Sequence, residues 1–285
     1  MLLKNINHFI EYLFFKIFQK IFHIIGFKKT SILGGYIFKI IGPYTKYNKI
    51  IKNNMSLISN NKDTLQIEVN KNLEQIGKTF FEFFLINNLN YIISKVTNED
   101  VLKKIKNENQ SYLFISAHYG NWEITRNYLV NYGFNLHSIY RHANNKFIEN
   151  EIQNIRKMSG SYFYKKGKES AKNMIKAIKN NNHLAILIDQ KDNSGDDINF
   201  FDKQAKTNTG FASLALKYKK NICPIRSLRK NDGSFEIIID NPIAYHTFKE
   251  KSEIELTEFI YKNYIEKWIL ENPSQWLWAH KRWGT

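Results

Sequence analysis

From Tyr112 onward, short apolar runs alternate with stretches of helical spacing, and this alternation limits the fold more than any other feature of the chain. "YLFIS" reads as a strand and Trp122 to Tyr132 as a helix. "NLHSIY" is a strand, followed by a helix from Asn145 to Met158. Lys168 to Asn180 is a helix, "HLAILID" a buried strand, and Thr209 to Lys219 a helix. "ICPIRSLR" and "FEIIID" are two strands around the turn "KNDG", and Glu253 to Leu270 closes the chain with a helix. Upstream, the apolar spacing from Asp63 to Val96 is helical, and "NEDVLKKIKNEN" is a helix capped by Asn98. Strands alternating with helices predict an α/β fold, a mixed, largely parallel sheet covered by helices on both faces. In such sheets, sites form at the carboxyl ends of strands.

The N-terminus, "MLLKNINHFIEYLFFKIFQKIFHIIGF", follows a different pattern. At about 100° per residue, Lys4, His8, Glu11, Lys16, Gln19, Lys20 and His23 fall on one half of a helical wheel. Leu3, Ile6, Ile10, Leu13, Phe14, Ile17, Ile21, Ile24 and Ile25 fall on the other. Charges interrupt the run too often for a signal peptide or an ordinary spanning helix. A lysine-bearing face opposite a Phe/Ile/Leu face suits a membrane surface, lying on it or held by a single tilted anchor. The plainer alternative is an amphipathic helix packed on its own domain. A second apolar patch, "SILGGYIFKIIG", favours the membrane, and "GPYTKYNK" marks a break that sets residues 1–45 apart from 46–285.

Lys and Arg number 42 against 26 Asp and Glu, a net charge of +16, which calls for anionic partners or reflects a Lys-rich genome. No zinc-finger, homeodomain or RNA-recognition signature accompanies it, so nucleic acid is not the expected partner. The one cysteine, Cys223, cannot form an internal disulfide and reads as a core thiol. There is no Cys/His cluster with zinc spacing.

"SAHYGNWEI" places His118 and Glu123 where a strand hands over to a helix. On a continuous helix, residues five apart sit about 140° from one another. At a strand–helix turn, Glu123 can reach back to the ring of His118, with Gly120 and Asn121 forming the turn and cap. A carboxylate on one ring nitrogen fixes the tautomer and makes the other a general base. Amides near Gly120 to Trp122, or an arginine, offer donors for an oxyanion. The bland reading is a half-buried histidine beside a solvated glutamate.

Beyond this pair the sequence resembles the bacterial lipid A biosynthesis acyltransferases, the lauroyl/myristoyl transferases. The likeness runs through "HYGNWE", through "SIYRHANNKFIENEIQNIRKMSG" with Arg141 and Arg156, and through "LAILIDQ" ending in Asp189 and Gln190. It continues through "INFFDKQAKTNTGFASLALKYKKNICPI" and the terminal "NPSQWLWAHKRW". Two departures are Asp202, where the family carries glycine after Phe-Phe, and the Asn-rich stretch before Ser111. The resemblance implies a glycerolipid-acyltransferase-like fold over 46–285. It also implies transfer of an acyl group from acyl carrier protein to a hydroxyl of a lipid A precursor, at the cytoplasmic face of the inner membrane. A thioester carbonyl is already electrophilic, so neither a Ser or Cys nucleophile nor a cofactor or metal is expected. In this reading His118 and Glu123 are catalytic, and Arg156 and Arg141 bind phosphate or carboxylate. Asp189 and Gln190 bind the acceptor or fasten the next loop. Trp276, Trp278 and Trp283 are core or interface aromatics, and Lys281 and Arg282 meet headgroups. Other acceptors (a phospholipid or another glycolipid), acyl-CoA as donor, and a non-enzymatic basic protein of the membrane surface or of nucleic acid are the alternatives.

Overall fold

The computed structural model describes residues 2–59, 61–87, 92–157 and 161–284. Four helices come first: α1 (Leu2–Ile25), α2 (Phe27–Ile41), α3 (Lys46–Met55) and α4 (Lys62–Glu82). Then strands and helices alternate: β1 (Ile93–Thr97), α5 (Glu99–Asn107), β2 (Leu113–Ser116), α6 (Trp122–Asn131), β3 (Leu136–Tyr140), α7 (Lys146–Lys157), β4 (Tyr162–Lys165), α8 (Lys168–Lys179) and β5 (His183–Leu187). A hairpin, β6 (Lys191–Phe200) and β7 (Lys203–Thr207), precedes α9 (Gly210–Tyr218), β8 (Ile222–Arg229) and β9 (Phe235–Ile239). The closing helix is two pieces, α10 (Glu253–Ile260) and α11 (Glu266–Glu271), joined by a π-helical turn at Tyr261–Ile265.

The sheet runs β1-β9-β8-β2-β5-β3-β4, and all of its pairings are parallel except β8 with β9. Its central strands alternate between two cores, as the two-residue repeat of a strand requires. Leu113, Ile115 and Leu184 point to the face covered by α3, α4, α9, α10 and α11, while Phe114, Cys223 and Ile225 point to the face of α5 and α6. The mixed, largely parallel sheet expected from the sequence is therefore present.

Two expectations are corrected. The helical spacing from Asp63 does not extend to Val96: α4 ends at Glu82, a 3₁₀ turn covers Phe83–Leu85, and Ile93–Thr97 is an edge strand. The β6–β7 hairpin escapes the sequence reading because it lacks the apolar signal, β6 reading "KDNSGDDINF", whereas β4, "YFYK", is aromatic but only four residues long. The expected Met158 end of α7 lies outside the described residues. The Asp202 departure also has a physical meaning. Phe201 and Asp202 form the two-residue turn between β6 and β7, with φ of 53° and 56°. Such primed turns favour glycine, and aspartate is among the residues that tolerate the left-handed region.

Helix α2 lies directly on α4 at a crossing of small residues. A Cβ on Gly34 would stand 2.5 Å from the carbonyl oxygen of Gly77, so only glycine permits this approach. Close by, a wholly buried ion pair joins Glu82 of α4 to Arg229 of β8. Ser31 of α2 donates to Glu82 Oε1 at 2.5 Å, Asn121 Nδ2 donates to Oε2 at 2.8 Å, and Arg229 Nη2 also reaches Thr79. This network ties the N-terminal helices to the turn after β2.

Helix α1 turns its apolar face outward. Ile6, Phe9, Ile10, Leu13, Phe14, Ile17, Phe18 and Ile21 are 42–57 % exposed and Ile24 is 84 % exposed. Its inner side is mixed: Phe22 is buried against Phe81 and Phe84, Phe15 packs on Phe84, and Glu11 and Lys16 bond to residues of the α7 segment, while Lys20 and His23 are exposed. A helix that serves only to pack on its own domain keeps such an apolar stripe inward. Among the described residues, no helix is long and apolar enough to cross a membrane.

Candidate active site

Strands β2 and β5 are parallel neighbours, with Ser116 opposite Leu187. Two residues beyond each, past the carboxyl ends, stand His118 and Asp189. The strand register alone brings them together. Asp189 is fully buried and accepts three hydrogen bonds. His118 Nδ1 is 2.8 Å from its Oδ1, the His118 amide is 2.9 Å from Oδ2, and Trp276 Nε1 is 2.7 Å from Oδ2. Burial pushes the Asp189 carboxyl up, but the charge and hydrogen bonds of His118 outweigh it and hold the group at about 2. An ionised carboxylate only accepts, so Nδ1 of His118 carries a proton, and in the neutral ring the lone pair is on Nε2. Exposed Gln190 sets its Nε2 3.2 Å from that lone pair and donates to it. The His118 side chain is 12 % exposed and packs against Trp122.

Glu123 stands elsewhere than the sequence reading expects. Its carboxylate does not cap Nδ1, which Asp189 occupies; it binds Arg156 Nη2 at 2.6 Å and Arg126 Nη2 at 3.4 Å. Burial opposes its charge, but Arg156 and then Arg126 outweigh it and hold the carboxyl below its ordinary value, and His118 adds to the same effect. The pair thus shares one electrostatic neighbourhood without sharing a proton. Arg156 lies over Phe163, Tyr140 and Phe83, and Arg126 lies over Phe163. The sequence reading passes over Arg126, although its place three residues after Glu123 on α6 is a visible ion-pair spacing. Arg141 is exposed just past β3, without a hydrogen-bond or ion-pair partner among the described residues.

The turn itself is locked. Gly120 has φ of 57°, and a side chain there would strike the Ser227 carbonyl. Gly120 N donates to Gln275 O at 2.9 Å, and Asn121 N donates to Ser227 Oγ at 3.0 Å. These two amides are committed to the fold and so are not the oxyanion donors that the sequence suggests. Asn121 caps α6 by accepting from Glu123 N at 3.2 Å. The C-terminal tryptophan motif is structural and also touches the site: Trp276 and Trp278 are fully buried, with Trp276 on Asp189. Arg282 does not reach headgroups. It is buried and bonds Lys206 O and Thr207 of the hairpin. Tyr261 of the π turn donates to Ile188 O, bracing the residue before Asp189. No group of three or more metal-ligating side chains occurs among the described residues.

Buried histidines give the protein a defined acid response. Burial lowers His183 and His280 to about 4, whereas an unfolded histidine titrates near 6.5. Between roughly pH 6.5 and 4 the unfolded chain binds more protons than the folded one, so stability falls as pH falls. Asp189, held at about 2, extends the loss below the ordinary aspartate value of 3.8. Urea midpoints measured from pH 7.5 to 4 should decline steadily below about pH 6.5. The His183→Gln variant should flatten part of that slope; midpoints independent of pH would refute the assignment.

A family model described as bacterial lipid A biosynthesis acyltransferase matches residues 3–285. No curated protein matches the chain. The match runs from α1 through the tryptophan motif behind Asp189, so helices, sheet and the His118 turn fall within one family unit. The chain therefore belongs to the bacterial lipid A biosynthesis acyltransferases.

Proposed function

We propose that this acyltransferase takes its acyl group from the thioester of acyl carrier protein and delivers it to a hydroxyl of a lipid A precursor, with His118 as general base. The observation that carries this reading is the ring of His118, fixed through Nδ1 on buried Asp189 with Nε2 toward the accessible side. Gln190 moves aside and the acceptor hydroxyl takes its place at Nε2. The hydroxyl proton passes to Nε2 as the oxygen attacks the thioester carbonyl carbon. The tetrahedral oxyanion collapses, the C–S bond breaks, and the departing thiolate takes the proton back from the imidazolium. Asp189 keeps the tautomer and, with Glu123 nearby, stabilises the cation. The Trp122 amide, at the positive end of α6, serves the oxyanion. Arg156, and Arg141 at the rim, bind anionic groups of the acceptor.

The outward apolar face of α1 supports a site that works at a lipid surface, at the cytoplasmic face of the inner membrane. The net charge of +16 suits both an acidic carrier protein and a phosphorylated lipid. To test the reading, purified protein is incubated with vesicles holding either a phosphorylated lipid A precursor or phospholipid alone, and with labelled acyl carrier protein or acyl-CoA. Label should enter the precursor, and faster from the carrier protein. Label entering phospholipid alone, or no transfer in any combination, would refute the proposal.

A further inference from the structure

Helix α7 is held on two opposite faces. On one, Phe147 packs against Phe9 and Tyr12 of α1, with ring centroids 5.9 and 5.8 Å apart, and Glu151 accepts from Lys16 at 3.0 Å and from Tyr12 at 3.4 Å. On the other, Glu149 accepts from Tyr140 at 2.8 Å and from the Ala143 amide at 2.7 Å, and Arg156 reaches Glu123. At 100° per residue, Glu149 and Arg156 lie roughly 140–160° around the helix from Glu151. One residue ties the start of α7 to α1. Asn145 is buried, and its Oδ1 caps α7 by accepting from Phe147 N at 3.0 Å and Ile148 N at 3.4 Å. Its Nδ2 clamps α1, donating to His8 O at 2.7 Å and Glu11 Oε2 at 2.8 Å.

We infer that α1 positions Arg156 through α7, with Asn145 and Glu151 as the positioning residues; the inference rests on the function proposed above. The helix whose apolar side meets lipid thereby sets the anion-binding guanidinium against Glu123. Binding at the bilayer and orienting the acceptor's anionic group become one mechanical unit. The clamp is polar and local, so it can be broken without touching the site.

The Asn145→Asp variant keeps an oxygen to cap α7 but cannot donate to His8, and it places a second carboxylate on Glu11. With acceptor in vesicles, its KM should rise about 10-fold or more, with kcat changed much less, because misplacing a positioning group weakens orientation of the substrate. Adding Glu11→Lys supplies an opposite charge and should recover most of the loss. In an Arg156→Ala background, Asn145→Asp should add less than about a 2-fold further effect, since both changes act through one guanidinium. Hydrogen exchange reads the clamp without any activity: amides of α7 should exchange faster in Asn145→Asp while those of α6 do not change. An unchanged KM in a system where the parent is active, or losses that multiply with Arg156→Ala, would overturn the inference. A parent protein inactive on every acceptor would overturn the proposed function instead, and unchanged α7 exchange would still overturn the clamp.

Discussion

Purified His118→Ala protein should transfer acyl groups about 10²–10⁴-fold more slowly than the parent, the usual contribution of a general base, with its unfolding midpoint nearly unchanged. The ring is near the surface and partly exposed, and without it the buried Asp189 carboxylate still accepts from the backbone amide of residue 118 and from Trp276 Nε1. Asp189→Asn should reduce transfer by a comparable factor for a different reason. An amide at that position can donate to Nδ1 and favour the wrong tautomer, leaving a proton on Nε2 where the lone pair is needed. Glu123→Gln separates the two carboxylates. It removes the carboxylate that holds the guanidiniums of Arg156 and Arg126 in place and so loosens orientation of the acceptor, but it leaves the Nδ1–Asp189 bond in place. The proton on Nδ1, followed by NMR, should therefore persist in Glu123→Gln and vanish in Asp189→Asn. The opposite pattern would make Glu123 the partner of the ring, and near-parental turnover by well-folded His118→Ala would remove the base from the mechanism altogether.

The second large effect is on stability. Glu82→Gln leaves the guanidinium of Arg229 buried beside a neutral amide, and breaking one side of a buried pair costs about 3–5 kcal/mol. Ser31, Thr79 and Asn121 depend on the same pair, so the loss spreads from α2 to the turn that carries His118. Denaturant midpoints of Glu82→Gln should fall sharply, and the double variant Glu82→Leu/Arg229→Met should regain only part of the loss, because it removes the unpaired charge but leaves Ser31, Thr79 and Asn121 without their partners. A Glu82→Gln midpoint within about 1 kcal/mol of the parent would show that the network does not hold the fold together.

Local pattern made the central strands and most helices legible. "ICPIRSLR" and "YLFIS" are apolar, β-branched and bounded by turn residues, and they occupy β8 and β2 as read. Strand β1 is short and partly exposed, and β6 is polar, so neither carries the apolar signal on which such a reading depends. The histidine at the end of β2 is visible for the same local reason. Its partner is not, because Asp189 lies 71 residues away and meets it only through the parallel pairing of β2 with β5.

The sequence by itself determined the alternation that makes an α/β sheet, the amphipathic start, the histidine beyond a strand end and the family to which the chain belongs. Those properties reside in neighbouring residues and their periodicity. Only the tertiary structure decided which acid holds the ring, which arginines Glu123 neutralises, and which way α1 turns its apolar face. Each of these depends on strand order, register or helix packing, and side chains far apart in sequence acquire a common electrostatic environment only once the chain has folded.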